Sequence, residues 1–308
     1  MLPKSRIFSV LLLGLGCALL VGGLLQAQLG RFDARLPLDP TRYTWTLVDP
    51  EATISDLTLE ATEKASVTKQ VEASLIRPSD EDTATIRLAT SVRRTGLDDL
   101  EGLHTAAVST YTFDRITGEI LSPIRVIDQL AGIPRDTDTD GVWWKFPTAA
   151  EKTSYMVFDE TLATSYPAVY ESEVEEDGRT MMAYRQIIDP EKVNAERSGL
   201  LTTLEIDGQP AYLEHAAERV FYVDRESGVV VDLEEQITDI YRYADGEQAG
   251  ILLDFNGRMT EQNREDLRAA ASEISRRDFW RTFSYILAAL GALSIIAGGI
   301  GSFRRGRG

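Results

Sequence analysis

The stretch Phe221-Tyr222-Val223-Asp224-Arg225-Glu226-Ser227-Gly228-Val229-Val230-Val231-Asp232-Leu233 reads as strand, tight turn and strand. Aromatic and β-branched residues fill both arms, as in a pleated, half-buried surface. Between them an Asp side chain can accept bonds from the turn backbone, and a Gly can take the left-handed position. The pattern occurs twice, since Asp114-Arg115-Ile116-Thr117-Gly118 matches it, with Tyr111 three residues before the Asp as Phe221 is here. This is a turn rather than a site, and five residues are too few to establish a duplication.

Working outward, Asp177-Gly178, Asp207-Gly208 and Asp245-Gly246 punctuate similar runs and predict tight hairpins. Alternation marks strands at Ile86-Arg87-Leu88 and from Thr105 to Phe113, while Ile251 to Phe255 predicts a more fully buried strand. Residues 31–258 are thus expected to form an antiparallel, β-rich domain. Helices are few: a short one over 191–198, and a long one from Thr260 to Trp280, with Thr260 as N-cap and Ala269-Ala270-Ala271 as strong helix formers.

Both ends are apolar. Residues 7–30 carry no charge, which at 1.5 Å per residue suffices to cross a hydrocarbon core of roughly 30 Å. Lys4 and Arg6 precede this run, and Leu25 stands where cleavage after Ala27 would need a small residue, so a signal-anchor is expected. Residues 282–303 form a second uncharged run, with aromatic residues at its start and Arg304, Arg305 and Arg307 behind it. Short basic tails without acids, and a long domain suited to export, predict both tails inside and the domain outside the cytoplasm. The organisation expected is a cytoplasmic tail (1–6), a membrane helix (7–30), the β-rich domain (31–258), a stalk helix (259–281), a membrane helix (282–303) and a tail (304–308). The class is mainly β with two terminal transmembrane helices, α+β overall. Small residues four apart, Gly14, Ala18 and Gly22 in the first span and Ser284, Ala288 and Ala292 in the second, predict faces for close helix packing, within the chain or in a homo-oligomer.

The net charge is −17; with Lys4, Arg6, Arg304, Arg305 and Arg307 set aside, 27 basic residues face 49 acidic ones, leaving −22. Such a domain repels phosphate backbones, which excludes nucleic-acid binding, and attracts cations. The single cysteine, Cys17, lies within the first apolar run and rules out a disulfide framework.

Chemistry is sparse. Asp136, Asp138 and Asp140, followed by Gly141, resemble the first half of a calcium loop. Position twelve is Pro147, so the helical calcium motif fails; a partial calcium site completed by another acid such as Glu151 is the alternative to a solvated acidic loop. Trp143 and Trp144 are adjacent, and neighbours on a strand face opposite ways, so one of them is expected to be exposed. With Phe146, Tyr155 and Phe158 they are the candidates for an aromatic-lined lipid or glycan pocket, with ordinary core packing the favoured reading. No nucleophile elbow or phosphate loop occurs, and two histidines without a motif, His104 and His215, read as structural. Catalysis is not expected, and no cofactor beyond calcium.

The segments Trp143-Trp144-Lys145-Phe146-Pro147, Glu151 to Asp159, Tyr166-Pro167-Ala168-Val169-Tyr170 and Tyr184-Arg185-Gln186-Ile187-Ile188, with the repeated turn and two terminal helices, resemble the actinobacterial porin PorA family over nearly the whole chain. That resemblance implies an envelope channel. The layout is also similar to class B scavenger receptors, which carry lipids through a tunnel. A bilayer channel needs a closed barrel with an apolar outer band, and these strands are too charged for that. The leading expectation is therefore an envelope protein whose outer domain binds or passes an apolar component such as lipid. An oligomeric channel and a non-catalytic scaffold are the alternatives.

Overall fold

A computed structural model describes residues 4–29, 35–38, 43–56, 59, 61–98, 101–128, 133–176, 178–194 and 201–303. It divides into two compact units, a helical one from the two chain ends and a β unit, Arg35–Ala271.

The elements are α1 (Lys4–Leu29), β1 (Tyr43–Ser55), β2 (Thr62–Ile76), β3 (Thr83–Arg94), β4 (Leu103–Asp114), β5 (Ile124–Asp128), β6 (Arg135–Thr137), β7 (Ser154–Asp159), β8 (Thr164–Glu176), β9 (Arg179–Lys192), β10 (Thr203–Ile206), β11 (Gln209–Asp224), β12 (Val230–Tyr243), β13 (Gln248–Met259) and α2 (Glu261–Phe303). The fold class is as expected from the sequence: the strands form one antiparallel sheet ordered β6-β5-β4-β3-β2-β1-β13-β12-β11-β9-β8-β7, with β10 beside β11. Hairpin neighbours dominate this order, and β1 against β13 joins the two halves. Along β11 every second residue is buried, from Ala211 through Leu213, His215, Ala217, Arg219 and Phe221. This period of two gives the sheet one inner face.

Asp207-Gly208 forms the two-residue β10–β11 turn with both φ positive, at 52° and 74°. At Asp245-Gly246 only the glycine is left-handed; Asp177 lies outside the described residues. The repeated turns are the same structure twice. Asp114 Oδ1 accepts from the Ile116 and Thr117 amides, and Asp224 Oδ2 accepts from the Ser227 amide and hydroxyl. Both turns close on the segment 145–150: Phe146 N donates to Gly228 O and Thr148 N to Ile116 O. A Cβ at Gly118 would lie 2.0 Å from the Lys145 carbonyl oxygen, and one at Gly228 2.1 Å from that of Phe146. Glycine at the fifth position is thus required by close approach as well as by φ.

Between those turns Lys145 is buried, its ammonium donating to Ile116 O, Phe146 O and the Thr148 hydroxyl at 2.7–3.2 Å. Burial lowers this ammonium to about 7, with Asp114 opposing. Val142 bridges Glu119 on one side and Val157 of β7 on the other, so the sheet curls until its two ends share an interior. The short helix expected over 191–198 is not formed at its start, where Glu191 and Lys192 end β9; residues 195–200 lie outside the described residues.

The helical unit contains two stretches long and apolar enough to cross a membrane, Phe8–Leu25 and Thr282–Ile300. They pack antiparallel; in the second span the expected Ser284 and Ala288 are buried against Gly23, but in the first span the contact runs on a different stripe from the one expected. Gly14, Ala18 and Gly22 face outward. The seam instead runs at seven-residue spacing, pairing Ser9 with Gly298, Gly16 with Gly291 and Gly23 with Ser284. A Cβ at Gly16 would come within 2.8 Å of the Gly291 carbonyl oxygen. The physical reason is that a 3.5-residue repeat keeps two coiling helices in contact over their whole length, which a four-residue stripe does not.

Candidate functional site

Inside the curled sheet the inner positions carry charge. Lys69 of β2 donates to both Glu235 oxygens (2.9 and 2.8 Å), and Glu235 also accepts from Arg219 Nε at 2.6 Å. Arg219 reaches Asp159 at 2.8 Å and donates to the Gln186 side chain at 2.8 Å. His215 sits between Asp159 (3.3 Å) and Asp239 (2.5 Å). Lys69, Glu235, Arg219, Asp159, His215 and Asp239 therefore form a chain of alternating sign that links β2, β7, β11 and β12.

The protonation states fit this chain. Burial alone would lower the His215 imidazole, but Asp159 and Asp239 outweigh it and raise it to about 10. Burial would raise Glu235, yet Lys69 and Arg219 bring it down to about 2. Asp159, also opposed by burial, is held below the ordinary carboxylate range by His215 and Arg219. Three cations thus match three anions. Glu160, the next residue, has no such match: it accepts from the Thr90 hydroxyl at 2.8 Å, and burial raises its carboxyl above the ordinary value.

Beside this chain lies a cavity of about 200 Å³. Val92, Ala106, Ala107, Val126, Leu213, Ile237, Leu252 and Leu253 give it apolar walls, with Lys69, Glu160, Asp239 and His104 at polar points. Two ladder irregularities shape it. Val92 pairs with Thr105 and Arg93 with Leu103, so His104 is an extra residue on β4. Asp239 pairs with Leu253 and Ile240 with Ile251, so Leu252 is extra on β13. A bulge re-aims its residue and bends the strand, and here both bulged residues border the cavity. A second cavity of about 40 Å³ shares Lys69, Phe158, Glu160 and Thr161 with the first.

The residues expected to form an aromatic pocket lie elsewhere, apart from Phe158. Trp143 stacks on Tyr111 at 5.6 Å and tilts against Phe158 at 4.9 Å; Trp144 stacks on Trp45 at 4.1 Å. Phe146 packs on Tyr184, Tyr155 and Phe221. Both tryptophans are buried, as in the favoured core-packing reading, and neither has the exposure that strand alternation suggested. The reason is local: residues 141–146 make only isolated bridges, so the alternation of a strand does not apply to them. Phe158 alone borders the larger cavity; Trp143 borders only the smaller.

The three aspartates do not converge. Asp136 pairs with Arg125 at 3.0 Å, and among the described residues no cluster of three or more His, Cys, Asp or Glu is arranged to hold a metal ion. Sequence reasoning missed His104, Glu160 and the ion chain. One signal was available: His215 and Arg219 share the parity of Leu213 and Phe221 along β11, which turns charges inward.

Comparison with known proteins gives one family match: the family model described as Porin PorA covers residues 8–300. No curated protein matches the chain.

Proposed function

The chain belongs to the porin PorA family, and from that premise we propose that it is a two-pass envelope protein whose β unit binds or passes an apolar component through its interior cavity. Both tails would be cytoplasmic and the β unit outside, with the first helix an uncleaved signal-anchor. The observation that carries this reading is the cavity of about 200 Å³, apolar along most of its walls, while the charges beside it are largely occupied with one another. An apolar cavity of roughly 150 Å³ takes up benzene. The larger one here suits a short apolar segment, such as part of an acyl chain, rather than a whole lipid.

A channel is the reading suggested by the family's name. The outer face of the sheet carries pairs such as Arg185 with Glu171 and Glu218, which do not suit contact with lipid. The two apolar helices close on each other along the glycine seam, and enclosing water would take several copies. The reading is also non-catalytic: His215 is held as a cation between two carboxylates, which leaves it no basic nitrogen. Extraction of the purified full chain, followed by mass spectrometry, tests the proposal. A specific apolar molecule at near one per chain, enriched over bulk membrane lipid, is expected. Bulk lipid alone, together with conductance steps in planar bilayers, would favour the channel.

A further inference from the structure

His104 is a feature of the cavity that asks for a partner. It is 7% exposed, borders the cavity, and its Nε2 makes no hydrogen bond. A buried polar nitrogen without a partner costs free energy and in native proteins has a reason. Simple packing does not supply one, because the side chain reaches this face only through an extra residue in β4. Regular pairing would have turned it to the other side of the sheet.

The charge state narrows the chemistry. Burial, with Arg94 adding to it, lowers the imidazole to about 4, against the pull of Asp239 and Asp56. The ring is therefore neutral at physiological pH, with one nitrogen a donor and the other an acceptor. A neutral imidazole suits a hydroxyl, which both gives and takes a proton bond, better than a carboxylate or phosphate. Among the other polar groups on the wall, Lys69 is engaged with Glu235, Thr90 with Glu160 and Asp128 with Arg135.

We propose that the cavity selects an apolar molecule bearing an uncharged hydroxyl, and that His104 is the residue that binds this hydroxyl. The inference rests on the reading of the cavity as a ligand site. The χ2 well of histidine is broad, so a modest rotation of the ring presents Nε2 to such a group.

The test uses the full chain in lipid nanodiscs and two probes of benzene size, fluorobenzene and 4-fluorophenol, titrated by ¹⁹F NMR. Wild type should bind 4-fluorophenol at least as tightly as fluorobenzene. In His104→Phe, which keeps the ring and removes both nitrogens, the preference should swing toward fluorobenzene by about tenfold, the scale of one buried hydrogen bond. His104→Gln, which keeps a donor and an acceptor, should retain much of the phenol preference. Tighter binding of fluorobenzene by wild type, or an unchanged preference in His104→Phe, would overturn the role of His104 while leaving an apolar site standing. Absence of a bound resonance for either probe would overturn the ligand site itself, and this inference with it.

Discussion

Around His215 each formal charge meets its opposite, and the imidazole is clamped between Asp159 and Asp239. Around His104, on the other side of the cavity wall, apolar surface dominates and the imidazole has an idle nitrogen. Asp239 belongs to both regions, as partner to one histidine and neighbour to the other. The same residue type is thus charged and structural in one place, neutral and available in the other. Burial disfavours the charged form of both; only His215 has carboxylates close enough to reverse it. The two regions differ in what burial meets: an ion chain ties β2, β7, β11 and β12 together, while the adjoining space is walled by apolar side chains.

The largest effect should come from the middle of the chain. Arg219→Met leaves Asp159 and Glu235 partly uncompensated in the interior and should cost about 3–5 kcal/mol. Denaturation of the full chain, followed by tryptophan fluorescence, measures it. A loss below about 1 kcal/mol would mean that the chain does not brace the sheet.

His215→Gln should cost somewhat less, about 2–3 kcal/mol near neutral pH, and the cost should depend on pH in a definite direction. The folded imidazole is raised from 6.5 to about 10. Its contribution is complete below the unfolded value and is lost as pH climbs through the folded one. The stability gap between wild type and variant should accordingly shrink from pH 6.5 to 10. Taking the difference cancels Lys145, whose lowered ammonium changes both proteins alike. A gap that stays constant over this range would show that His215 is not held as a cation.

The smallest effect separates the two regions most sharply. His104→Phe removes an unsatisfied buried nitrogen, so stability should change by less than about 1 kcal/mol, and upward. Equal losses at His104 and His215 would erase the distinction between them.

Much of the fold was legible in the sequence. The repeated turn, the Asp207-Gly208 hairpin and the two apolar helices are local signals, each set by a few neighbouring residues. The cavity is different. Its bulges at His104 and Leu252 are defined by what β3 and β12 place opposite, and pairing register cannot be read from one strand. The tryptophan pair misled for a related reason: alternation was applied to residues 141–146, which form no continuous strand. In the helices Ser284 and Ala288 were legible, whereas in the first span Ser9, Gly16 and Gly23, at seven-residue spacing, meet the second helix in place of Gly14, Ala18 and Gly22.

An apolar guest in the cavity is the central claim. Ala107 lines it, whereas Ala216 lies on the outer face of β11. The decisive measurement compares apolar molecules co-purifying per full chain in wild type, Ala107→Phe and Ala216→Phe. Near one specific molecule is expected for wild type and Ala216→Phe, and its loss from Ala107→Phe. The same content in all three proteins, matching bulk membrane lipid, would contradict it.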